Sequence, residues 1–333
     1  MPIRLTLGFF LAYFLALWGT PMAREAAIRF GVVDAPDGKL KNHREPVAYL
    51  GGLAVFVAFL LSIGMTFEFD EDLLALLLAS AIVATVGLID DFGALTPKPK
   101  VLGQVVAVFV LLKAGIMVQL AFLPWWARLV ITVIWLVGMS NAFNLTDIMD
   151  GLASGLAVIA ASFLLVVALL NGKFMVAAFT VALVGALLGF LRSNFHPATI
   201  YLGDCGSLFI GLTLGALAMV MDYTAVNPLG WLAPLYILAV PIIDTLYVIV
   251  LRLRAGRKIY YGSPDHFPLR VRKRLDGWTE GTVVVSYAVA VVFGALGLVV
   301  LYLDPVSTLI LTAVVGVVTV SLLVWLALVP MES

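Results

Sequence analysis

Eleven times along its length the chain runs for about 20 residues with almost no charge, which is what a helix needs to cross the hydrocarbon core of a bilayer. No other feature limits the fold as much. The runs begin near Leu5, Val47, Leu73, Val101, Pro124, Gly151, Phe174, Ser207, Leu229, Gly281 and Pro305. Inside lipid every backbone N–H and C=O must be satisfied within the segment or by a closed sheet, so runs of this length become helices. Of the 333 residues 63% are hydrophobic and 12% charged, where a soluble domain has about 45–50% and about 25%. The connections are short, with no low-complexity tail, linker or internal repeat. The expectation is an all-α, polytopic integral membrane protein of about 11 transmembrane helices, forming a single domain over 1–333.

The first run could be read as a signal peptide, since Arg4 precedes it and small residues follow. Arg24 and Arg29 come directly after it, however, and would hold it as an anchor. The single cysteine, Cys205, excludes an internal disulfide and a Cys-based zinc site. No nucleic-acid partner is expected; the partner the composition demands is the lipid bilayer.

Lys and Arg near span ends favour the cytoplasmic side. With the amino terminus outside, sixteen of the 20 basic residues fall on inside connections, at about 24–46, 90–100, 141–150, 192–206 and 252–280. The connection between the second and third runs is instead acidic, with Glu68, Asp70, Glu71 and Asp72. The polar stretches GLIDDFG (Asp90, Asp91), NAFNLTDIMDGLASG (Asn141, Asn144, Asp147, Asp150), YLGDCGS (Asp204) and YGSPDHFPLR (His266) all land on that same inside face. The orientation rests on basic residues alone, so the agreement is independent. A charged residue at the centre of a membrane helix costs about 2.5–3.5 kcal/mol on the lenient insertion scale, so these acids need water, a metal or cations.

Each motif also has a plainer reading. Adjacent Asp90 and Asp91 repel one another and suggest a nearby cation or phosphate, or a helix end in solvent. The fifth run is expected to end near Met139, and the Asn and Asp residues that follow at three-residue steps would fan across one side of a helix facing a cavity; capping accounts for one or two of them. Asp204 and Ser207 precede a run, where they could serve a ligand or cap a helix. The eight Lys and Arg from Arg252 to Arg274 suit anionic headgroups or a diphosphate. His43 and His196 lack metal-ligand spacing. Asp244 falls inside the ninth run, as a functional group or as the partner of a neighbouring helix. A secondary transporter of a small anionic solute is the rival reading, but its site would lie near the midplane.

Taken together, the ordered stretches VVDAPDGKLKNHREPVAYLGG, GLIDDFG, NAFNLTDIMDGLASG, SNFHPATIYLGDCGS and PIIDTLYVIVLR resemble the polyprenyl-phosphate N-acetylhexosamine-1-phosphate transferase family, over about Val33 to Trp278. The resemblance implies a Mg2+-dependent enzyme, Mn2+ being a substitute, that moves a sugar 1-phosphate from a UDP-N-acetylhexosamine to undecaprenyl phosphate and releases UMP. It implies the bacterial inner membrane, a cleft facing the cytoplasm and the first membrane step of an envelope polysaccharide; a homodimer is allowed. Carried over by position, Asp204 resembles the metal ligand, and Asp90 and Asp91 the acidic pair at the lipid phosphate. Asn144, Asp147 and Asp150 resemble the residues around uridine and diphosphate, Asn194 an accessory contact and Tyr201 the aromatic on uracil. Lys41 resembles the lysine of the first loop, and with His266 it is expected as a catalytic group that helps steady the donor, while Arg270 is expected as a substrate-binding residue. The family's H-x-H-H-R element is HFPLR here, a departure that bears on the choice of sugar and weighs against the pentapeptide-carrying branch.

Overall fold

The computed structural model describes residues 2–34, 47–68, 71–258 and 264–331. Lys41 and His43 lie outside the described residues. The chain divides into two compact units, Met1–Met221 and Asp222–Ser333. The first holds α1 (Pro2–Phe30), β1 (Val33–Asp34), β2 (Val47–Ala48), α2 (Gly51–Thr66), α3 (Glu71–Asp91), α4 (Pro97–Lys113), α5 (Trp125–Thr146), α6 (Leu152–Leu170), α7 (Phe174–Asn194) and α8 (Gly203–Met219). The second holds a short 3-10 turn (Gly230–Leu232), α9 (Ala233–Ile237), α10 (Ala239–Arg254), α11 (Phe267–Arg274), α12 (Thr279–Val300) and α13 (Pro305–Ala327).

Every one of the eleven apolar runs is helical, and the protein is an all-α, multi-pass membrane protein. Among the described residues seven helices are long and apolar enough to cross a membrane, or eight if the bent pair Gly230–Ile237 and Ala239–Arg254 counts as one span. The helices α2 and α8 are apolar but shorter. The expected count of eleven full-length spans is not reached among the described residues, where α4 (Pro97–Lys113), with Lys98, Lys100 and Lys113, is neither a span nor one of the shorter apolar helices.

In the first unit α8 is the central element. Every residue from Cys205 to Ala218 is buried, with α2, α3, α5 and α6 packed around it. Between apolar helices in lipid, hydrogen bonds from small hydroxyl side chains supply specific attachment. Ser80 pairs with Thr213 at 3.0 Å, and Ser140 Oγ donates to the Leu208 carbonyl at 3.0 Å. The end of α3 lies almost on the backbone of α8: a Cβ on Gly87 would stand 2.4 Å from the Asp204 carbonyl oxygen. β1 and β2 pair antiparallel, Val33 with Ala48 and Asp34 with Val47. Ala48 also bridges Ile200, and Tyr201 N–H donates to the Ala48 carbonyl at 2.8 Å. The strand pair thus fixes the segment that leads into α8.

In the second unit the chain turns by 74° between Gly230–Ile237 and α10. Pro241 accounts for the break, because it has no N–H and its ring opposes the carbonyl four residues back, at Ile237. The short α11 was not expected within the basic loop. It is tied to α10 at Asp244, whose fully buried carboxylate faces His266 Nδ1 at 2.6 Å and accepts from Phe267 N–H at 2.9 Å. It is tied to the end of α13 by Arg270, which donates to the Val329 carbonyl at 2.6 Å. Of the two readings of Asp244, the structure shows the partner of a neighbouring element.

Candidate active site

The ends of four helices meet in the first unit: the last turns of α3 and α5 and the first turns of α4 and α8. Successive apolar helices joined by short loops run in opposite directions, so an end and a beginning fall side by side. The α3–α4 loop thereby sets Lys100 against Asp90, Nζ to Oδ2 at 2.9 Å. Lys100 also forms an ion pair with Asp204 from the start of α8 and donates to Asn144 Oδ1 at 3.3 Å. The amide of Asn144 donates in turn to Asp204 Oδ1 at 2.6 Å and to Ser207 Oγ at 3.0 Å. Three oxygen-bearing groups from three helices thus face one ammonium.

Asp90 and Asp91 diverge, since neighbours on a helix point about 100° apart. Asp91 leaves Lys100 to its neighbour and accepts from the backbone N–H of Asp204 at 2.7 Å and of Cys205 at 3.0 Å. The first N–H groups of a helix lack internal partners, so Asp91 caps α8 from a different helix. Gly203 makes room for it, with φ of +70° and a notional Cβ 2.8 Å from Asp91 Oδ1. The capping reading of Asp204 and Ser207 is therefore replaced. Asp204 turns its side chain to Lys100 and Asn144, and Ser207 Oγ donates to the Gly203 carbonyl at 2.9 Å.

The polar stretch after the fifth run differs from expectation. Here α5 continues past Met139 to Thr146, and Asp147 ends it with φ −78° and ψ 59°. Only Asn141 and Asn144 are on the helix, so the four side chains do not form a fan. Asn141 is drawn to Gln104, donating to its Oε1 at 2.7 Å. Asp147, half-buried, has its carboxyl pushed up to about 8 by burial and by the charges of Asp204 and Asp91, against a lowering contact from the Gly203 N–H. Asp150 Oδ2 faces His196 Nδ1 at 2.6 Å and accepts from Ala198 N–H at 3.0 Å. Asn194 is buried, accepting from Ser154 at 2.7 Å and donating to the Ile200 carbonyl at 3.1 Å. Tyr201 stands edge-on to Tyr49 with ring centres 5.7 Å apart. Its phenol is pushed up to about 12, by burial first and then by Asp150, Asp34 and Asp147. Burial, and after it Asp34, Asp147, Tyr201 and Asp91, also raise the Tyr49 phenol.

The structure thus gathers Asp90, Asp91, Asn144, Asp147 and Asp204 into one cluster, with Asp150 and Tyr201 bordering it. His266 and Arg270 belong to the second unit, where His266 is paired with Asp244 and Arg270 with Asp265 at 3.0 Å. Their roles at the donor, like that of Lys41, remain what the resemblance implies. Two residues of the cluster, Lys100 and Tyr49, were not singled out from the sequence. The one signal that could have found Lys100 is its place ten residues after Asp90, across a connection too short to separate them.

Among the described residues no group of three or more His, Cys, Asp or Glu has the spacing of a metal site. The oxygens around Lys100 Nζ, from Asp90, Asp204 and Asn144, are nevertheless the hard donors that Mg2+ takes. Mg2+ also needs only one or two protein carboxylates where phosphates and water complete its shell, so the residues present fit it.

Fold and site define a polytopic membrane protein with an acid- and amide-lined centre at the ends of antiparallel helices, equipped for phosphate chemistry. Residues 73–222 match the family model described as Glycosyl transferase family 4. A probable undecaprenyl-phosphate N-acetylglucosaminyl 1-phosphate transferase of Bacillus subtilis is 32% identical over 301 residues, covering 87% of this chain and 83% of that protein. A decaprenyl-phosphate N-acetylglucosaminephosphotransferase of Mycolicibacterium smegmatis is 32% identical over 96% of this chain and 88% of its own. A phospho-N-acetylmuramoyl-pentapeptide-transferase of Halalkalibacterium halodurans is 32% identical over 86% and 92%. The chain belongs to glycosyl transferase family 4 and is a membrane enzyme.

Proposed function

We propose that the protein transfers an N-acetylhexosamine 1-phosphate from a UDP-sugar to undecaprenyl phosphate, releasing UMP, at the cytoplasmic face of a bacterial inner membrane. Mg2+ is the proposed cofactor, with Mn2+ as a substitute. The observation that carries this reading is the meeting of Asp90, Asp204 and Asn144 around the Lys100 ammonium. Phosphoryl transfer is governed by positioning and by neutralising charge on the transferring group, and this centre offers a cation with oxygens that can hold another. The names of the relatives support polyprenyl phosphate as acceptor and an N-acetylated sugar on the donor.

The acceptor's second pKa is about 6, so at neutral pH it is mostly a dianion and needs little help from a base. An acceptor oxygen bonds to the sugar-linked β-phosphorus, and the bond from that phosphorus to the bridging oxygen breaks. The electron pair leaves with UMP. Asp90 orients the acceptor and takes any residual proton, Lys100 offsets charge on the transferring group, and Asp91 keeps the start of α8 in place. Asp204, with Asp90 and the Asn144 carbonyl, would hold Mg2+, which when bound supplies charge neutralisation at the diphosphate. A prenyl tail can remain in the bilayer while its phosphate meets the helix ends.

The test is to incubate the purified protein in vesicles with undecaprenyl phosphate, Mg2+ and a panel of UDP-sugars and to measure UMP. UMP is expected together with an equal amount of lipid-linked sugar phosphate, both lost when Mg2+ is chelated. Release with no member of the panel overturns the proposal.

A further inference from the structure

We infer that Gln104 is a positioning residue: its side chain, paired with that of Asn141, holds α4 against α5 in the register that brings the Lys100 ammonium to the transferring phosphate, an inference that rests on the transfer reading above. Gln104 is fully buried, the one polar member of the four buried residues of α4. Asn141 Nδ2 donates to Gln104 Oε1 at 2.7 Å and to the Val137 carbonyl of its own helix at 2.8 Å. Gln104 Nε2 returns a longer contact to Asn141 Oδ1, at 3.4 Å. A primary amide has two N–H donors, so both N–H groups of Asn141 are used and its side chain is fixed to α5.

The place of the pair matters more than its strength. Residues four apart on a helix share a face, and Lys100 lies about one turn, about 6 Å, nearer the start of α4 than Gln104. On α5, which runs the other way, Asn144 lies three residues beyond Asn141. The two helices therefore meet at two rungs, Gln104 with Asn141 and, one turn away, Lys100 with Asn144 at 3.3 Å. The second rung belongs to the site, since Asn144 also donates to Asp204. The first bonds within itself and to the α5 backbone. Beside Gln104, Gly103 lies against α3, a notional Cβ there standing 2.4 Å from a Val86 methyl. Apolar contact of that kind is non-directional and lets a helix slide or roll, whereas a hydrogen-bonded amide pair fixes both motions. Register matters to the chemistry because a misplacement of about 1 Å can cost about 10² in rate.

Replacing Gln104 with methionine keeps the length of the side chain and removes its half of the pair. Gln104→Met is expected to lower kcat about tenfold with the KM for the UDP-sugar within about twofold, the pattern of an interaction made only in the transition state. In the Lys100→Met background the same change is expected to cost less than about twofold, because its effect passes through Lys100. Exchanging the two amides, Gln104→Asn with Asn141→Gln, keeps the bridge and is expected to restore most of the rate lost by either change alone. Should Gln104→Met fail to fold, Gln104→Asn, one methylene short of reaching Asn141, carries the same comparison. An equal loss of kcat in both backgrounds overturns the inference. So does a lowered melting temperature in Gln104→Met with unchanged kcat, which would make the pair a helix brace only. Either result alongside turnover by the unaltered protein leaves the proposed function standing, whereas no turnover by the unaltered protein overturns both.

Discussion

Lys100 offsets the charges of Asp90 and Asp204, which would otherwise repel across a narrow gap. Replacing it with methionine keeps the length of the side chain and removes the charge. Lys100→Met is expected to cut turnover by about 10²–10³, the range seen when one preorganised charge-stabilising donor is removed, and initial rates of UMP release check it. Asp147 gives a pH dependence with a definite sign. Its carboxyl goes from an ordinary value of 3.8 to about 8 in the folded protein, so between those values the folded state holds a proton that the unfolded state has released. Stability from this group is complete below about pH 4 and disappears as pH rises through about 8. The melting temperature of the ligand-free protein should fall over that window, and Asp147→Asn should flatten the fall; an unchanged slope would contradict the assignment. Asp90, Asn144, Asp147 and Asp204 were legible in the sequence because acids and amides at the edge of an apolar run are costly without a reason. Lys100 was not, because a basic residue at a span end already has an explanation in membrane topology. The pairing of Asp150 with His196 joins residues 46 positions apart, and no local pattern announces it.

At the level of elements, Asp90 and Asp91 show how a single turn of α3 serves two purposes. Asp91 meets bare N–H groups at the start of α8, and leaving two such donors unmet costs about 1–3 kcal/mol for each. Asp91→Ala is therefore expected to lower the melting temperature and turnover together. Asp90→Ala should abolish most turnover with little loss of stability, because it also relieves crowding of negative charge. Thermal melts and rates measured side by side check the contrast, and equal melting losses would mean that the two acids are equivalent. The helices themselves were readable from run length and composition. Their ends were less so, for physical reasons. Asn141 and Asn144 are polar but still helical, because Gln104 and Asp204 on neighbouring helices receive their side chains. The 74° turn before α10 depends on Pro241 within a run that is long and apolar enough to read as one continuous span. The short α11 depends on distant anchors, at Asp244 and at the carbonyls closing α13.

Across the whole molecule, the alternation of helix ends in the first unit makes a prediction about sides. Cys205 is buried and should resist a membrane-impermeant maleimide, so single cysteines can be added without removing it. Lys98→Cys, exposed at the start of α4, should be labelled only from the cytoplasmic side, and Ala121→Cys, exposed between α4 and α5, only from the opposite side. Labelling of both from one side would overturn the proposed orientation. The cap that α3 places on α8 also bears on how the protein is made. Asp91 leaves the ribosome 113 residues before the Asp204 N–H that it will hold, roughly 6–23 s at about 5–20 residues per second. Throughout that interval headgroups and water must shelter the unpaired acid while four more helices thread into the bilayer. A nascent chain halted before Leu202 would carry most of its acids and no catalyst, so the enzyme comes into being only when its eighth helix arrives.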